Sequence, residues 1–304
     1  MAKTFELIKD GSIKHNGCTL YKIKALADIT NHGVKAGDIG GWVESENNLQ
    51  SNEAWIGDAA MVYGDAVVSE KALVTEFAQV SGFAEIKGYA KVQGNAKILG
   101  NARVMGNCTI ECYATVCGNA FVADFAIIRG RAQVSGEVQV KDNAKIWDHV
   151  NASGSAIIKG YAQVYGQAKV YGGTIAGNTI VYDYAKIGSR AYLNSGIFCG
   201  RAIITDHSDF ALICNIGSRK GTTIAYKNDN IAQNTSQIEI ICGCFKGDLQ
   251  QFYNRVTEHY GGRNAGIAYR RYYKEYMAAI QLIEAKFTVK VKRKSRLLSW
   301  LSKS

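Results

Sequence analysis

The sequence predicts an all-β, three-sided solenoid followed by a small C-terminal α/β module and a terminal helix. Three observations carry this. A six-residue beat, Ala-x-Val-x-Gly-Asn in its commonest form, runs without a gap from Ala60 to Gly173. The chain of 304 residues holds 32 glycines and no proline. Beyond Ile213 the beat is gone, and Gly-rich turns, helical spacing and a basic tail replace it.

The beat comprises nineteen hexads. Position one is Ala in sixteen of them, with Cys108, Val138 and Val150 as the others; position three is Val or Ile in eighteen, with Ala152 the exception. Position five is Gly in thirteen, and Glu70, Glu76, Cys112, Asp124, Asp142 and Asp148 stand in elsewhere. In an extended chain positions one and three point the same way, so a small and a branched residue face inward together. A glycine at position five permits a corner with unusual φ and close backbone approach. Strand and corner in alternation wind the chain into a prism of eighteen residues per turn, each coil about 4.8 Å from the next. Roughly nine coils from Ala54 give a rod about 43 Å long by that spacing. Proline is excluded because nearly every amide is needed by a neighbouring coil.

Before the beat, "CTLYKIKALADI" and "GVKAGDIGGWVESENNL" read as strands and turns that cover the first coil, since an open coil edge invites further pairing. After it, the five-residue stretches "TIAGN" (174–178) and "IFCGR" (197–201) slip the count, and the last coils end near Ile213. The expected organisation is an N-terminal β cap over 1–53, the solenoid over 54–213, a module over 214–263, and an amphipathic helix with a basic tail over 264–304.

The net charge of +10 is concentrated: Lys286 to Ser304 carries seven Lys/Arg and no acid. Such a tail suits a solvated end, a polyanion-binding arm or a membrane-surface anchor, and the near-neutral body does not point to nucleic acid as a partner. The start, "MAKTFELIKDGS", lacks the apolar stretch of a signal peptide, which implies a cytoplasmic chain, peripheral at a membrane if the tail anchors it. The eight cysteines then read as reduced thiols filling small apolar positions.

Over at least residues 54–213 the pattern resembles the hexapeptide-repeat, left-handed parallel β-helix proteins. It departs from their acyltransferase version in placing the glycine two residues after the aliphatic one, as in Val104-Met105-Gly106. That form is more similar to enterobacterial and phage proteins carrying acyltransferase or polymer-forming labels. Handedness comes from the resemblance alone. So do several further expectations: a trimer, a histidine base acting on an acetyl-CoA or other acyl-CoA donor bound between subunits, a loop interrupting the coils, and a phage or mobile-element setting with a host partner. No loop interrupts the nineteen hexads.

Candidate chemistry falls in three places. His149 occupies a corner and should point outward, whereas His207, in "ITDHSDF", sits where the beat breaks and is a candidate base. The segment 214–260 resembles a module that accompanies such repeats in phage proteins, with Gly-Ser-Arg, Gly-Cys-Phe-x-Gly and a helix-end His. Its "IGSRKGTTIAY" turn offers Ser218, Arg219, Thr222 and Thr223 to a phosphate or carboxylate. Cys244 and His259, the latter ending a helix over 247–260, form a candidate thiolate–imidazole pair. Cys242-x-Cys244 without a second pair is not zinc spacing.

The third place is the outer face. Residues eighteen apart become vertical neighbours, so Arg129, Trp147, Tyr165 and, after the slip, Tyr182 form one column, read as an interaction surface. A corner column of Tyr89, Asn107, Phe125, Asn143 and Tyr161, and the pair Asn101–Asn119, read as structural ladders. From Asn264 to about Phe287, Tyr269, Tyr273, Met277, Ile280 and Ile283 make an apolar helical stripe, expected to pack on the last coil or a partner subunit. Leu297, Leu298, Trp300 and Leu301 behind basic residues suggest a membrane-surface helix or a segment for a partner's groove.

Three functions remain open. A non-enzymatic binding or interaction protein, acting on a host partner or a small anionic ligand, is the preferred reading. An acyl-CoA-dependent acyltransferase and a structural polymer are the alternatives, the last opposed by capped ends.

Overall fold

The computed structural model describes residues 4–229, 238–262 and 266–293. The chain divides into two compact units, Met1–Gly200 and Arg201–Ser304. The tail leucines and Trp300 lie outside the described residues.

The first unit is the solenoid. Two-residue strands alternate with tight turns and stack into three parallel sheets. One sheet has nine strands, from Trp55–Ile56 to Ile197–Phe198, and one has eight, from Val67–Val68 to Tyr192–Leu193. The third begins with the N-terminal strands Phe5–His15, Cys18–Ala25 and Ile39–Val43, the last of which pairs in parallel with Met61–Val62. Lys91 pairs with Thr109 and Thr109 with Ile127, the expected step of eighteen. Past the 174–178 slip the step shortens to seventeen, as in Gln163 with Ile180.

The inward set is the predicted one. Ala90, Val92, Ala96, Ile98, Ala102 and Val104 are all fully buried, and the same alternation recurs up and down the coils. Between coils, amides donate to the next turn, as Lys91 N–H does to the Cys108 carbonyl at 2.9 Å. A proline would break that ladder.

The corners explain the fifth position. Gly82 has φ +76°, and a Cβ there would meet the Gly100 backbone at 2.9 Å. Cys112 holds φ 63° at one corner, and at the five acidic corners of the nineteen hexads Glu70, Glu76, Asp124, Asp142 and Asp148 hold φ between 57° and 62°. In each, a carboxylate oxygen accepts the backbone N–H eighteen residues on, from Gly88, Gly94, Asp142, Gly160 and Gly166 at 2.9 to 3.1 Å. That bond offsets the steric cost of a left-handed conformation. At the N-terminal end, buried Asn48 donates to the Gly64 and Ala66 carbonyls, both at 2.9 Å, and accepts the Glu44 and Ser45 N–H groups. It ties the cap to the first coils.

The second unit carries a four-stranded antiparallel sheet, in order Phe210–Ile216, Gly221–Lys227, Ile238–Cys242 and Phe245–Asp248. Helices α1 (Leu249–Tyr260) and α2 (Ile267–Phe287) complete it. Asp248 caps α1 through a reciprocal bond pair with Gln251, which is why the helix starts where it does.

The solenoid was expected to run to Ile213; the strand Ile203–Asp206 is the last of the twelve-stranded sheet, and residues 201–213 fall within the second compact unit. Asp206–Asp209 forms a 3-10 turn in which the Asp209 carboxylate takes the Thr205 and Asp206 N–H groups, and Phe210 then starts an antiparallel strand. The α2 stripe does not need a coil or a partner to cover it. Ile280 and Ile283 join Ile238, Ile240, Phe252 and Val256 in one core, with Tyr273 and Met277 at its edge. A four-stranded sheet with one apolar face needs such a cover, so 214–263 and the helix form one body. Tyr269 alone of the stripe stays 45% exposed.

The thiol-filler reading holds for buried Cys108, whose pKa burial pushes up to about 12, and for buried Cys199. It fails for Cys112, Cys214 and Cys244, which are exposed; Cys112 sits at a corner rather than at an alanine position. Among the described residues no helix is long and apolar enough to cross a membrane.

Candidate functional site

The C-terminal module forms a half-open cavity of about 330 Å³. Two tight turns and two helices build it. Gly243, at φ +57°, turns the chain between Cys242 and Cys244 and leaves Cys244 at the rim. The turn Gly217–Lys220 brings in Ser218 and Arg219. The last turns of α1 add Arg255, His259 and Tyr260, and α2 adds Tyr276.

The walls are aromatic. Phe245 and Phe252 lie 5.1 Å apart, Phe252 meets Tyr276 edge-on at 5.9 Å, and Tyr276 stacks with Tyr260 at 5.4 Å. His259 stands perpendicular to Tyr260 at 4.5 Å. Burial, then the neighbouring Cys242 and Tyr260, raise the Tyr276 pKa, so its phenol stays protonated and able to donate. Among the described residues that line the cavity are two guanidiniums and an imidazole and no carboxylate. An aromatic pocket with convergent cationic donors suits an anion with an apolar body.

Of the residues expected here, Ser218, Arg219, Cys244 and His259 line this one cavity. Thr222 and Thr223 do not. They belong to the strand Gly221–Lys227, with Thr222 Oγ1 directed at Cys214 Sγ at 3.8 Å and buried Thr223 Oγ1 at Cys242 Sγ at 3.1 Å. The turn amide expected to hold an anion already holds one of the chain's own: Gly217 N–H donates to Glu275 Oε2 at 2.8 Å. Arg271, donating from Nε at 2.9 Å, and that same amide lower the Glu275 pKa. His207 is also outside the cavity; its side chain is 80% exposed and sits 3.0 Å from Asp206.

Arg255 and Tyr276 escaped the sequence reading. Arg255 had a legible signal, since it lies four residues before His259 and therefore on the same helix face. Tyr276 had none, because only the packing of α2 brings it in.

On the solenoid, the expected column forms. Arg129 lies over Trp147 at 5.7 Å, Trp147 stacks on Tyr165 at 4.5 Å, and Tyr165 on Tyr182 at 5.0 Å, both ring pairs within 6° of parallel. The Cys199 thiol beside its hydroxyl and burial raise the Tyr182 pKa. The rings are half-buried and cover one another's faces, leaving edges to solvent. Such a ladder joins coils more than it receives a flat ligand.

The corner column read as structural is the more exposed one: Tyr89 is 58%, Phe125 58% and Tyr161 64% accessible. Asn101 Nδ2 does donate to Asn119 Oδ1 at 3.0 Å, a true ladder, and His149 is exposed. Searched against known protein families and against curated proteins, the sequence matches none of them.

Proposed function

We propose that the protein is a non-enzymatic binding protein whose C-terminal module takes a small anionic ligand, with the solenoid as its rigid support. One observation carries the reading: Arg219, Arg255 and His259, with no carboxylate among the described lining residues, border a cavity walled by Phe245, Phe252, Tyr260 and Tyr276. A ligand with a carboxylate or phosphate at one end and a flat apolar body would use both features. The resemblance to phage-borne repeats adds a host cell as the natural source of that ligand, and a trimer as the assembly to look for by light scattering.

Calorimetric titration of the full chain with benzoate and phenyl phosphate tests this. Arg219→Gln and Arg255→Gln should each weaken binding by about 1.5–3 kcal/mol, the range for hydrogen bonds to charged groups. Undiminished affinity in the double variant refutes the reading. A second reading, acyl transfer from an acyl-CoA, is favoured by the presence of Cys244 and His259 in the same cavity. It requires that acetyl-CoA raise the melting temperature and that Cys244 become acylated, with Cys244→Ser abolishing the label.

A further inference from the structure

The corner that joins the eight-stranded to the nine-stranded sheet carries three exposed aromatics in one column, where the next corner carries the same alternation only over Phe77, Asn95 and Tyr113. Tyr89 sits at the former, between the strands Glu85–Ile86 and Lys91–Val92, and every eighteenth residue repeats the position. The column reads Tyr89, Asn107, Phe125, Asn143, Tyr161. Aromatic side chains therefore recur on alternate coils, about 9.6 Å apart, twice the coil spacing. Unlike Trp147 and Tyr165, these rings do not stack on each other. Lys71 Nζ donates to the Tyr89 hydroxyl at 3.1 Å and lies 5.1 Å from its ring. An asparagine amide stands on each coil between.

Charge singles out the same edge. Lys87, Lys141 and Lys159 precede the corner on their coils, and Lys91 and Lys145 follow it. Lys91, Lys145 and Lys159 are exposed, and among the described residues none of the three forms an ion pair. The corner's own acids, Glu70, Asp124 and Asp142, are each bonded to a backbone amide of the next coil. The edge thus presents free lysines beside evenly spaced aromatic faces.

We infer that this edge binds a linear, uronate-bearing polysaccharide lying along the solenoid axis. Alternate sugars stack on Tyr89, Phe125 and Tyr161, because an aromatic face attracts the polarised C–H face of a sugar ring as it does other positive edges. Two coil spacings are close to the length of a disaccharide in an extended β-linked chain, so one sugar in two meets a ring. The intervening sugars meet Asn107 and Asn143, which offer both donors and an acceptor to hydroxyls. Lysine ammonium groups supply point charges for the carboxylates. Single-stranded nucleic acid is the less fitting polyanion, because bases stack on successive platforms rather than on every second coil. The inference stands apart from the cavity reading and uses none of its residues.

The test is calorimetric titration of the full chain, at low salt, with an oligomannuronate, a neutral β-mannan oligomer of equal length and oligo(dT). The oligomannuronate should bind, and the neutral chain at least tenfold more weakly. The triple variant Tyr89→Ser/Phe125→Ser/Tyr161→Ser should lose at least tenfold in affinity while melting as the parent does, since all three side chains face solvent. Lys91→Gln/Lys145→Gln/Lys159→Gln should weaken binding and flatten its salt dependence. Tyr113→Ser, at another corner, should change nothing, and saturating phenyl phosphate should not compete. Absence of oligomannuronate binding, tighter binding of oligo(dT), equal binding of the neutral chain, or undiminished binding by either triple variant overturns the inference.

Discussion

Carboxylates do different work in the two units. At the solenoid corners Glu70, Glu76 and the aspartates accept an amide from the next coil, which lets a residue with a Cβ sit where glycine is the rule. In the second unit Asp209 is 5% exposed, and burial opposes its ionisation; Lys227, the Thr205 hydroxyl and the Thr205 and Asp206 amides outweigh that and hold its pKa at about 2. Lys227 Nζ lies 2.6 Å from it. Because the folded value is below the unfolded one of about 3.9, its contribution is complete above that pH and disappears as pH falls toward 2. Urea denaturation should therefore show stability falling through this window. Asp209→Asn should lower stability at pH 7 and reduce the fall. An unchanged pH profile would exclude Asp209 as its source. None of this was legible beforehand, because "ITDHSDF" reads equally as a broken coil or a capped turn until the strand after it is paired.

At the scale of elements, the aromatic column shows how far periodicity reaches. The step of eighteen put Arg129, Trp147, Tyr165 and Tyr182 in line, and the five-residue slip accounted for Tyr182. What the spacing left open was ring orientation. Near-parallel stacking at 4.5 and 5.0 Å turns the faces inward along the column and makes it a strut between coils. Tyr165→Leu breaks two such pairs and should cost about 1–3 kcal/mol in chemical denaturation, at 0.5–1.5 kcal/mol per pair. Phe83→Leu, at a corner position 65% exposed, should cost nothing measurable. Equal losses at the two sites would deny the column a structural part. The helical stripe on α2 follows the same rule: its spacing was readable, but the surface that covers it was not.

At the scale of the whole chain, a solenoid is a nearest-neighbour structure, so its stability is close to a sum over coils. Deleting residues 108–125 removes one coil and joins Asn107 to Ala126 in register. The shortened chain should keep its β circular dichroism and a cooperative melt at a somewhat lower temperature. Deleting the nine residues 108–116 reverses the inward–outward alternation downstream and should abolish the fold. A stable nine-residue deletion would show that the alternation is not what holds the coils.

The sequence by itself determined the solenoid: its coil step, its inward alanines and valines, its corners and its outer columns. It could do so because every contact there joins residues at one constant separation, so that period in sequence and neighbour in space are the same statement. Only the tertiary structure decided the module. Gly217 meets Glu275 across 58 residues, Arg255 and Tyr276 reach the cavity from different helices, and Thr222 and Thr223 turn into the sheet instead. Those separations repeat nothing. They are settled by which apolar faces must cover one another, and that is a property of the packed body, not of any stretch of it.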